Sequence, residues 1–281
     1  MKIWPYGFVA LILVGLFSGC SQPAPEPTNL LFNDPAEMLA AKAKAGSPEM
    51  RPLLDALKAE AEVILSADVA YSVMNKPFMP PSGDKHDYMS MGPYWWPDTT
   101  KPDGLPYIRR DGQVNPERAL YDAIPMRTMD WEVTTLAVAY FYLEDERYAE
   151  QACRMIRSWF LDPETRMTPH MEYAQAIPGK VLGRGTGIID ARSFFRISES
   201  LALLEHSPHW TEQDHKALQT WYAEFLDWLL TSENGLDEAD SGNNHGTWYD
   251  AIAVNLALFT GQDGVARQIL EAVPDLSLIH I

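Results

Sequence analysis

Residues 241–250 bring together residue types that can carry out acid–base chemistry. Their sequence is SGNNHGTWYD, and they lie where a loop is predicted to enter a helix. A histidine at such a place can accept a proton, while a neighbouring side-chain amide and the N–H groups of the helix N-terminus stabilise a developing negative charge. The alternative is that Asn243 or Asn244 only caps the helix and that His245 is a packed surface residue.

Residues 76–116 are a second region of interest, because they contain eight prolines, four glycines and the aromatic residues Tyr94, Trp95, Trp96 and Tyr107. A connection of this length without regular structure is unusual inside a compact domain unless it is functional. Aromatic side chains offer flat apolar faces on which the C–H faces of sugar rings can stack. The alternative is that the two tryptophans fill a gap between helices.

Positive charge is concentrated in residues 151–196, which contain seven Lys or Arg and four acidic residues, although the whole chain has a net charge of −17. Such a local excess of arginine indicates a binding site for an anion. Arg184, which lies between two glycines, and Arg192 are the predicted ligand contacts. Arg154 and Arg157 are predicted to pair with carboxylates on helix surfaces instead.

Other candidate sites have simpler interpretations. Cys153 lies inside a predicted helix and is interpreted as a core residue. The acidic residues Asp237, Glu238 and Asp240 lack the spacing of a calcium-binding loop and are interpreted as a solvated acidic loop. The GxGxG pattern at residues 183–187 follows no predicted strand, which excludes a dinucleotide-binding turn. We therefore predict neither a metal nor a cofactor.

The elements that must position these residues are helices. Patterns of apolar residues at helical spacing predict helices over residues 34–45, 48–65, 131–143, 148–160, 190–206, 212–230, 248–259 and 265–273. The sixth begins with a capping box at Thr211, and two pairs form hairpins around short acidic or glycine turns. Because no period-two alternation is long enough for a sheet, the sequence predicts an all-α fold of repeated helix pairs.

Composition and the N-terminal segment predict an exported protein. The charge of −17 opposes binding to nucleic acid, and 46% apolar content is enough for a substantial core. Residues 1–19 have the pattern of a signal peptide and are followed by Cys20, as in the lipobox of bacterial lipoproteins. We therefore expect a lipid anchor on Cys20, a tether over residues 20–33, and a periplasmic or outer-membrane location. The alternative is an ordinary cleaved signal peptide with an incidental cysteine.

Several separated motifs resemble those of the alginate lyase family, most closely polysaccharide lyase family 38, which is related to family 5. The resemblance covers about residues 66–273 and is carried by HDYMS (86–90), PYWWPD (93–98), GLPYIRRDG (104–112) with NPE (115–117), EYAQAIPG (172–179), GRG (183–185) with IID (188–190), and NNHGTWY (243–249). It implies an (α/α) toroid over residues 34–275, without cofactor, that acts on anionic uronate polysaccharides such as alginate or glucuronan by β-elimination.

The resemblance also implies roles for individual residues. Asn244 would offset the charge of the substrate carboxylate and His245 would be the base, or its partner, that removes the C5 proton. The residues expected to bind substrate are Tyr94, Trp95, Trp96, Arg110, Tyr173, Gln175 and Arg184. The family uses a tyrosine further downstream, so we expect a toroid that is incomplete at its C-terminus, with residues 276–281 foreign to the fold.

Two other function classes remain open from the sequence. A helical-repeat lipoprotein that binds glycan without changing it would also be acidic, tethered and rich in aromatic residues. A glycoside hydrolase on an (α/α) barrel would need two carboxylates facing each other across a cleft. Asp98, Asp111 and Asp190 are the candidates, and the sequence does not pair them. The oligomeric state is not predicted.

Overall fold

The computed structural model describes residue 27 and residues 29–277, so the predicted signal peptide, Cys20, most of the tether and the last residues of the predicted tail lie outside the described residues. Helices dominate the described part, and the prediction of an all-α toroid is confirmed. The helices are α1 (Pro35–Ala43), α2 (Arg51–Ala67), α3 (Ala123–Leu143), α4 (Glu146–Phe160), α5 (Phe194–Leu204), α6 (Glu212–Thr231), α7 (Glu233–Ala239), α8 (Asn244–Phe259) and α9 (Asp263–Ser277).

The helices pack as successive pairs. α3 packs against α4 and α8 against α9, which confirms both predicted hairpins, and α5 connects α3 to α8. The first hairpin turns at Glu144, whose φ of 56° is left-handed, and Asp145 caps α4 by accepting a hydrogen bond from the N–H of Arg147. The predicted capping box at the start of α6 is present, since Thr211 and Asp214 satisfy each other's backbone N–H groups.

Four predicted helix starts differ from the structure by three or more residues, and one of them is α8, which begins at Asn244 rather than at residue 248. α2 begins at Arg51, because Ser47 caps only a single turn and Pro52 occupies the first turn of the helix. α3 begins eight residues before the predicted Trp131. Pro125 falls in the first turn, where its missing N–H costs no intrahelical bond. The predicted helix over 190–206 is a 3₁₀ segment, Gly185–Ser193, followed by α5.

The prediction of no sheet is wrong at two places. β1 (Met89–Met91) pairs in parallel with β4 (Tyr173–Ala176), and β2 (Trp95–Trp96) pairs antiparallel with β3 (Ile108–Arg109). Strands of two to four residues are too short to show a period-two pattern in a sequence. These pairings fold the proline-rich loop back on itself and fasten it to the stretch before the 3₁₀ segment.

The core lies between the helix pairs and is rich in aromatic rings. Phe160, Phe194, Trp221, Tyr222 and Phe225 pack with centroid separations of 4.9–6.0 Å. Such contacts add to the stabilisation that burial of the rings provides. Among the described residues, no helix is long and apolar enough to cross a membrane.

Two predictions about individual side chains are confirmed in the packed helices. Cys153 is fully buried, and burial raises the pKa of its thiol to about 12. Arg157 forms an ion pair of 2.8 Å with Asp214, and Arg154 pairs with Asp68. These two arginines are therefore used in structural ion pairs, as expected.

The first described residues are fastened to α5. The carboxylate of Glu199 accepts hydrogen bonds from the backbone N–H groups of Leu31 at 2.6 Å, Phe32 at 3.1 Å and Asn33 at 3.1 Å, and from the side-chain amide of Asn33 at 2.6 Å. The ring of Phe32 also contacts Phe195, with centroids 5.6 Å apart. One carboxylate thus fixes this segment on the helix that follows the 3₁₀ segment.

Candidate active site

A cavity of about 620 Å³ lies where the proline-rich loop, the 3₁₀ segment and the start of α8 meet. Its volume is in the range of small-molecule sites. Arginines dominate its polar lining, and Asp190 is the only acidic residue among the described residues that line it. The lining consists of Pro93, Tyr94, Trp95, Arg109, Val114, Arg118, Arg127, Gln175, Arg184, Thr186, Ile189, Asp190, Arg192, Asn243 and His245.

The start of α8 presents His245 to this cavity. Asn243 is the N-cap, and its side-chain oxygen accepts a hydrogen bond of 2.8 Å from the backbone N–H of His245. The ring Nδ1 of His245 lies 2.8 Å from Oε1 of Glu238 on α7. Since a carboxylate can only accept, Nδ1 carries the proton and Nε2 is left free to accept another. The geometry therefore prepares His245 as a base.

Glu238 is the functional residue that the sequence interpretation missed. It was assigned to a solvated acidic loop, but it lies in α7 and its side chain is fully buried. Burial raises the pKa of this carboxyl, while its hydrogen bond to His245 acts in the opposite direction. Its Oε2 has no hydrogen-bond partner among the described residues. A buried carboxylate that is hydrogen-bonded to the ring of a histidine is an arrangement suited to orienting a base.

The GxGxG stretch brings the cavity wall close to α7. A Cβ on Gly185 would lie 2.5 Å from Oδ2 of Asp237 and 2.9 Å from the backbone nitrogen of Glu238. A Cβ on Gly183 would lie 1.8 Å from the carbonyl oxygen of Glu172, and one on Gly187 would lie 2.5 Å from the Cβ of Ala174. The glycines are needed because backbone meets backbone on both sides of this segment. Arg184 is thereby held between β4 and α7.

Gln175 and Arg184 are joined by two hydrogen bonds. The guanidinium of Arg184 donates to the backbone oxygen of Gln175 at 3.1 Å and to its side-chain Oε1 at 2.8 Å. Gln175 has a left-handed φ of 46°, a conformation that costs energy for a residue with a side chain. Burial lowers the pKa of Arg184, and the nearby Arg109 acts in the same direction. This pair therefore places a partly desolvated cation at the cavity.

Trp95 is fixed on the cavity wall by its neighbours. The ammonium group of Lys180 lies 4.6 Å from the centroid of its ring, a cation–π contact. A Cβ on Gly92 would lie 2.6 Å from Cδ1 of Trp95 and 3.1 Å from Nη2 of Arg184. A larger residue at position 92 would therefore displace either the tryptophan ring or the arginine.

The structure gathers five of the nine predicted binding and catalytic residues around the cavity. Tyr94, Trp95, Gln175, Arg184 and His245 line it.

The other four predicted residues lie outside this lining. Trp96 donates a hydrogen bond to the backbone oxygen of Gln113 and lies against the guanidinium of Arg110, at 5.4 Å. Tyr173 lies on β4 beside His170. Asn244 is exposed as the first residue of α8, directly before His245.

Arginines that the sequence interpretation did not select also line the cavity. Arg109 lines it in place of Arg110, because consecutive residues near a strand point to opposite sides and Arg110 packs on Trp96. Arg118 and Arg127 join the predicted Arg192 there. The run of basic residues 109, 110, 118 and 127 was visible in the sequence, but only the fold shows which of them converge.

Four of the five cavity arginines lack a carboxylate partner among the described residues, whereas the fifth, Arg109, pairs with Asp111 at 3.0 Å. Among the described residues, no carboxylate oxygen lies within 4.0 Å of Arg118, Arg127, Arg184 or Arg192. Elsewhere Arg147, Arg154, Arg157 and Arg196 each pair with a carboxylate. In a chain of net charge −17, unpaired arginines facing one cavity favour an anionic ligand there.

Within the described part of the chain, no group of three or more His, Cys, Asp or Glu side chains is arranged to hold a metal ion. Tyr249, which follows the Asn-His pair, is directed away from the cavity, since its buried hydroxyl donates to the backbone oxygen of Leu229 at 3.1 Å. Apart from the arginines, the titratable groups among the described residues that line the cavity are therefore His245, Asp190 and the hydroxyl of Tyr94.

Comparison with known proteins is consistent with this geometry. A family model described as alginate lyase matches residues 72–276. The chain is similar to a crystal structure of an alginate lyase from Bacteroides ovatus, with 43% sequence identity and a TM-score of 0.84. The similarity covers 87% of this chain and 65% of that one, so the chain spans less than two thirds of the length of this relative. No curated protein matches the chain.

Proposed function

Because this chain belongs to the alginate lyase family, we propose that it is a polysaccharide lyase that cleaves uronate polymers such as alginate or glucuronan by β-elimination. The observation that carries the proposal is a histidine, oriented by a buried carboxylate, at a cavity lined by five arginines, four of which have no carboxylate partner among the described residues. This combination supplies both a base and a positive environment for an acidic sugar.

The chemistry of the substrate explains why both features are needed. Elimination removes the proton at C5 of the uronate, which is next to its carboxylate, and expels the sugar linked through O4. An ionised carboxylate makes this proton weakly acidic, so donors must offset the negative charge that develops. In the proposal the carboxylate is held by cavity arginines, with Arg184 fixed by Gln175, and a side-chain amide at the start of α8 completes the set.

The proton transfer is assigned to Nε2 of His245. Its Nδ1 faces Glu238, so the imidazole takes up the C5 proton at the nitrogen that is free. The carboxylate of Glu238 then stabilises the imidazolium that forms, and the imidazolium returns the proton to the departing O4, which leaves as a hydroxyl group. Asn244, at the first residue of α8, is proposed as the amide that offsets the substrate charge, aided by the helix N-terminus.

Sugar binding is assigned to the aromatic residues of the proline-rich loop. Trp95 and Tyr94 line the cavity and offer faces for stacking. Trp96 and Arg110 form a stacked pair beside them and support the loop, and Tyr173 lies on the strand that carries Gln175. We propose that these residues bind the sugar units that flank the cleaved bond.

The two alternative functions are less well supported. A hydrolase needs two carboxylates across a cleft, whereas Asp190 is the only acidic residue among the described residues that line the cavity. Asp98 and Asp111 do not line it. A protein that only binds glycan has no need of a buried carboxylate that orients a histidine. The lyase therefore explains more of the geometry than either alternative.

Incubation of the protein with uronate polymers tests the proposal. A lyase produces a C4=C5 double bond, so the ultraviolet absorbance of the product rises with time. New reducing ends without absorbance would indicate a hydrolase, and binding without either would indicate a glycan-binding protein. We expect His245→Ala to lower turnover about 10²- to 10⁴-fold, whereas His209→Ala, outside the cavity lining, serves as the matched control.

We also propose that the protein is exported and anchored by a lipid on Cys20, from the pattern of residues 1–20. Mass spectrometry of the mature N-terminus tests this, with diacylated Cys20 as the expected result. Finding unmodified Cys20, or cleavage at another position, would contradict the anchor without affecting the lyase proposal.

A further inference from the structure

Asp190 is unexpected in a cavity built for an anion. It belongs to the 3₁₀ segment Gly185–Ser193 and lines the cavity together with five arginines. No arginine or lysine nitrogen lies within 4.0 Å of its carboxylate among the described residues, although cations surround the same space. A negative charge here opposes the binding of an anion unless the carboxylate of Asp190 itself forms a favourable contact with the ligand.

A network of buried hydroxyl groups fixes the orientation of this carboxylate. Its Oδ2 accepts hydrogen bonds from the hydroxyl of Tyr88 at 3.0 Å and from that of Ser90 at 2.8 Å. Tyr88 and Ser90 are both fully buried. Ser90 in turn accepts a hydrogen bond of 2.8 Å from the backbone N–H of Gln175, the residue that holds Arg184. Asp190 and Arg184 are therefore held by one network of hydrogen bonds.

The second oxygen of Asp190 has no such partner. Among the described residues no group donates to Oδ1, and this oxygen is not buried, so it is accessible from the cavity. The side-chain amide oxygens at the cavity are already engaged: Oε1 of Gln175 accepts from Arg184, and Oδ1 of Asn243 accepts from the N–H of His245. Asp190 thus presents an anionic acceptor that is free and rigidly held.

We propose that Oδ1 of Asp190 accepts a hydrogen bond from a ring hydroxyl of the bound uronate and so determines which edge of the sugar faces the arginines. The inference rests on the lyase function proposed above. A uronate has a carboxylate on one edge and hydroxyl donors on another. The arginines attract the carboxylate edge, while Asp190 repels that edge and accepts a hydrogen bond from the hydroxyl edge.

A consequence is discrimination against substrates whose hydroxyls are O-acetylated. An acetyl ester has no O–H to donate, so the carboxylate of Asp190 would be left without its hydrogen bond. Loss of a hydrogen bond to a charged group corresponds to roughly a ten- to hundredfold loss of affinity. The protein should therefore prefer free uronate oligomers over acetylated ones by about this factor.

Asp190→Asn tests the proposal with little change of shape. The amide oxygen of the asparagine can still accept from Tyr88 and Ser90. Its NH₂ group then occupies the place of Oδ1 and is a donor rather than an acceptor. We expect kcat/KM on free uronate oligomers to fall roughly ten- to a hundredfold, mostly through KM, while kcat/KM on O-acetylated oligomers changes less than about threefold. Asp55→Asn, which removes an exposed carboxylate on α2, should leave both values unchanged.

The ratio of the two specificities is the decisive measurement, because it is independent of how much of the preparation is folded. A ratio that falls toward one in Asp190→Asn supports the proposal. An unchanged ratio, whether both activities fall together or neither falls, would overturn it and reduce Asp190 to a structural residue. If the wild-type protein neither binds nor cleaves uronate oligomers, the lyase function itself fails, and the inference fails with it.

Discussion

Replacing Glu238 with glutamine tests the link between the buried carboxylate and the catalytic base. The exchange keeps the size of the side chain and removes its charge. Glutamine can offer its amide N–H to Nδ1 of His245, which would move the ring proton to Nε2 and block the nitrogen that faces the substrate. If the amide oxygen faces the ring instead, the tautomer is kept, but the imidazolium loses its charged partner.

The size of the effect follows from these two outcomes. Loss of a charge-assisted hydrogen bond of the observed 2.8 Å length costs about 1.5–3 kcal/mol, which is roughly ten- to a hundredfold in rate. A wrong tautomer is more severe, since the equivalent Asp→Asn exchange in a serine protease triad lowers kcat about 10⁴-fold. We therefore expect kcat of Glu238→Gln to fall about 10- to 10⁴-fold, with KM changed less than about threefold.

The assay follows the absorbance of the unsaturated product over a range of uronate concentrations, so that kcat and KM are obtained separately. Glu233→Gln is the matched control, because it makes the same exchange at an exposed position of the same helix. Thermal unfolding is measured in parallel. Glu238 is a buried charge with an unpartnered Oε2, so its neutralisation should leave stability unchanged or raise it.

A Glu238→Gln protein that retained kcat within about threefold of the wild type would refute the reasoning. The carboxylate would then be a structural group, and His245 would have to be oriented by something else. A protein that lost activity together with stability would also contradict the expectation, because it would show that the charge supports the fold rather than the base.

Three further predictions concern the surroundings of the site. Gly185→Ala should lower kcat about a hundredfold, because its Cβ would lie 2.8 Å from the backbone of α7 and shift His245. Gly264→Ala is the control, because no atom lies within 4 Å of its added Cβ, and it should leave kcat unchanged. Equal kcat values for the two variants would refute this prediction. Burial raises the pKa of Asp130 to about 6 from 3.8. The folded state therefore binds this proton more tightly than the unfolded state. The unfolding free energy of the wild type relative to Asp130→Asn should fall by about 2 kcal/mol as the pH rises from about 4 to 7, and denaturant titrations that show no such fall would contradict it. Tyr94→Phe keeps the stacking face of the ring and should retain kcat and KM within about twofold; a large loss of kcat in product absorbance would instead assign proton transfer to its hydroxyl.

Local signals in the sequence predicted most of the fold. The capping box at Thr211 and the turn at Glu144 are short-range features, and both are present as predicted. The two hairpins follow from helical periodicity in the same way. The short strands were missed because β1 and β4 pair residues that are far apart in the chain, Met89 with Tyr173, and neither strand is long enough to leave a pattern.

The site was predicted less completely for the same physical reason. His245 and Arg184 stand out by residue type and local context, and both line the cavity. Glu238 looked like one acid among three, and only the packing of α7 against the 3₁₀ segment buries it. The choice of Arg109 over Arg110 depends on the side to which a residue at the end of a two-residue strand points. Tertiary contacts, rather than the local sequence, determine which side chain is buried and which one faces the cavity.

The attachment of the first described residues to Glu199 has a mechanical consequence. Three consecutive backbone N–H groups, from Leu31 to Asn33, converge on one carboxylate. A force that pulls on the chain ahead of residue 29 would therefore act on the hydrogen bond from the Asn29 side chain to Glu205 and then on these three, and be passed to α5. Glu199 lies seven residues beyond the cavity residue Arg192, about 10 Å along the helical rise. Tension on the N-terminal end would thus be borne by a helix, while the loop that carries Trp95 is left unstrained.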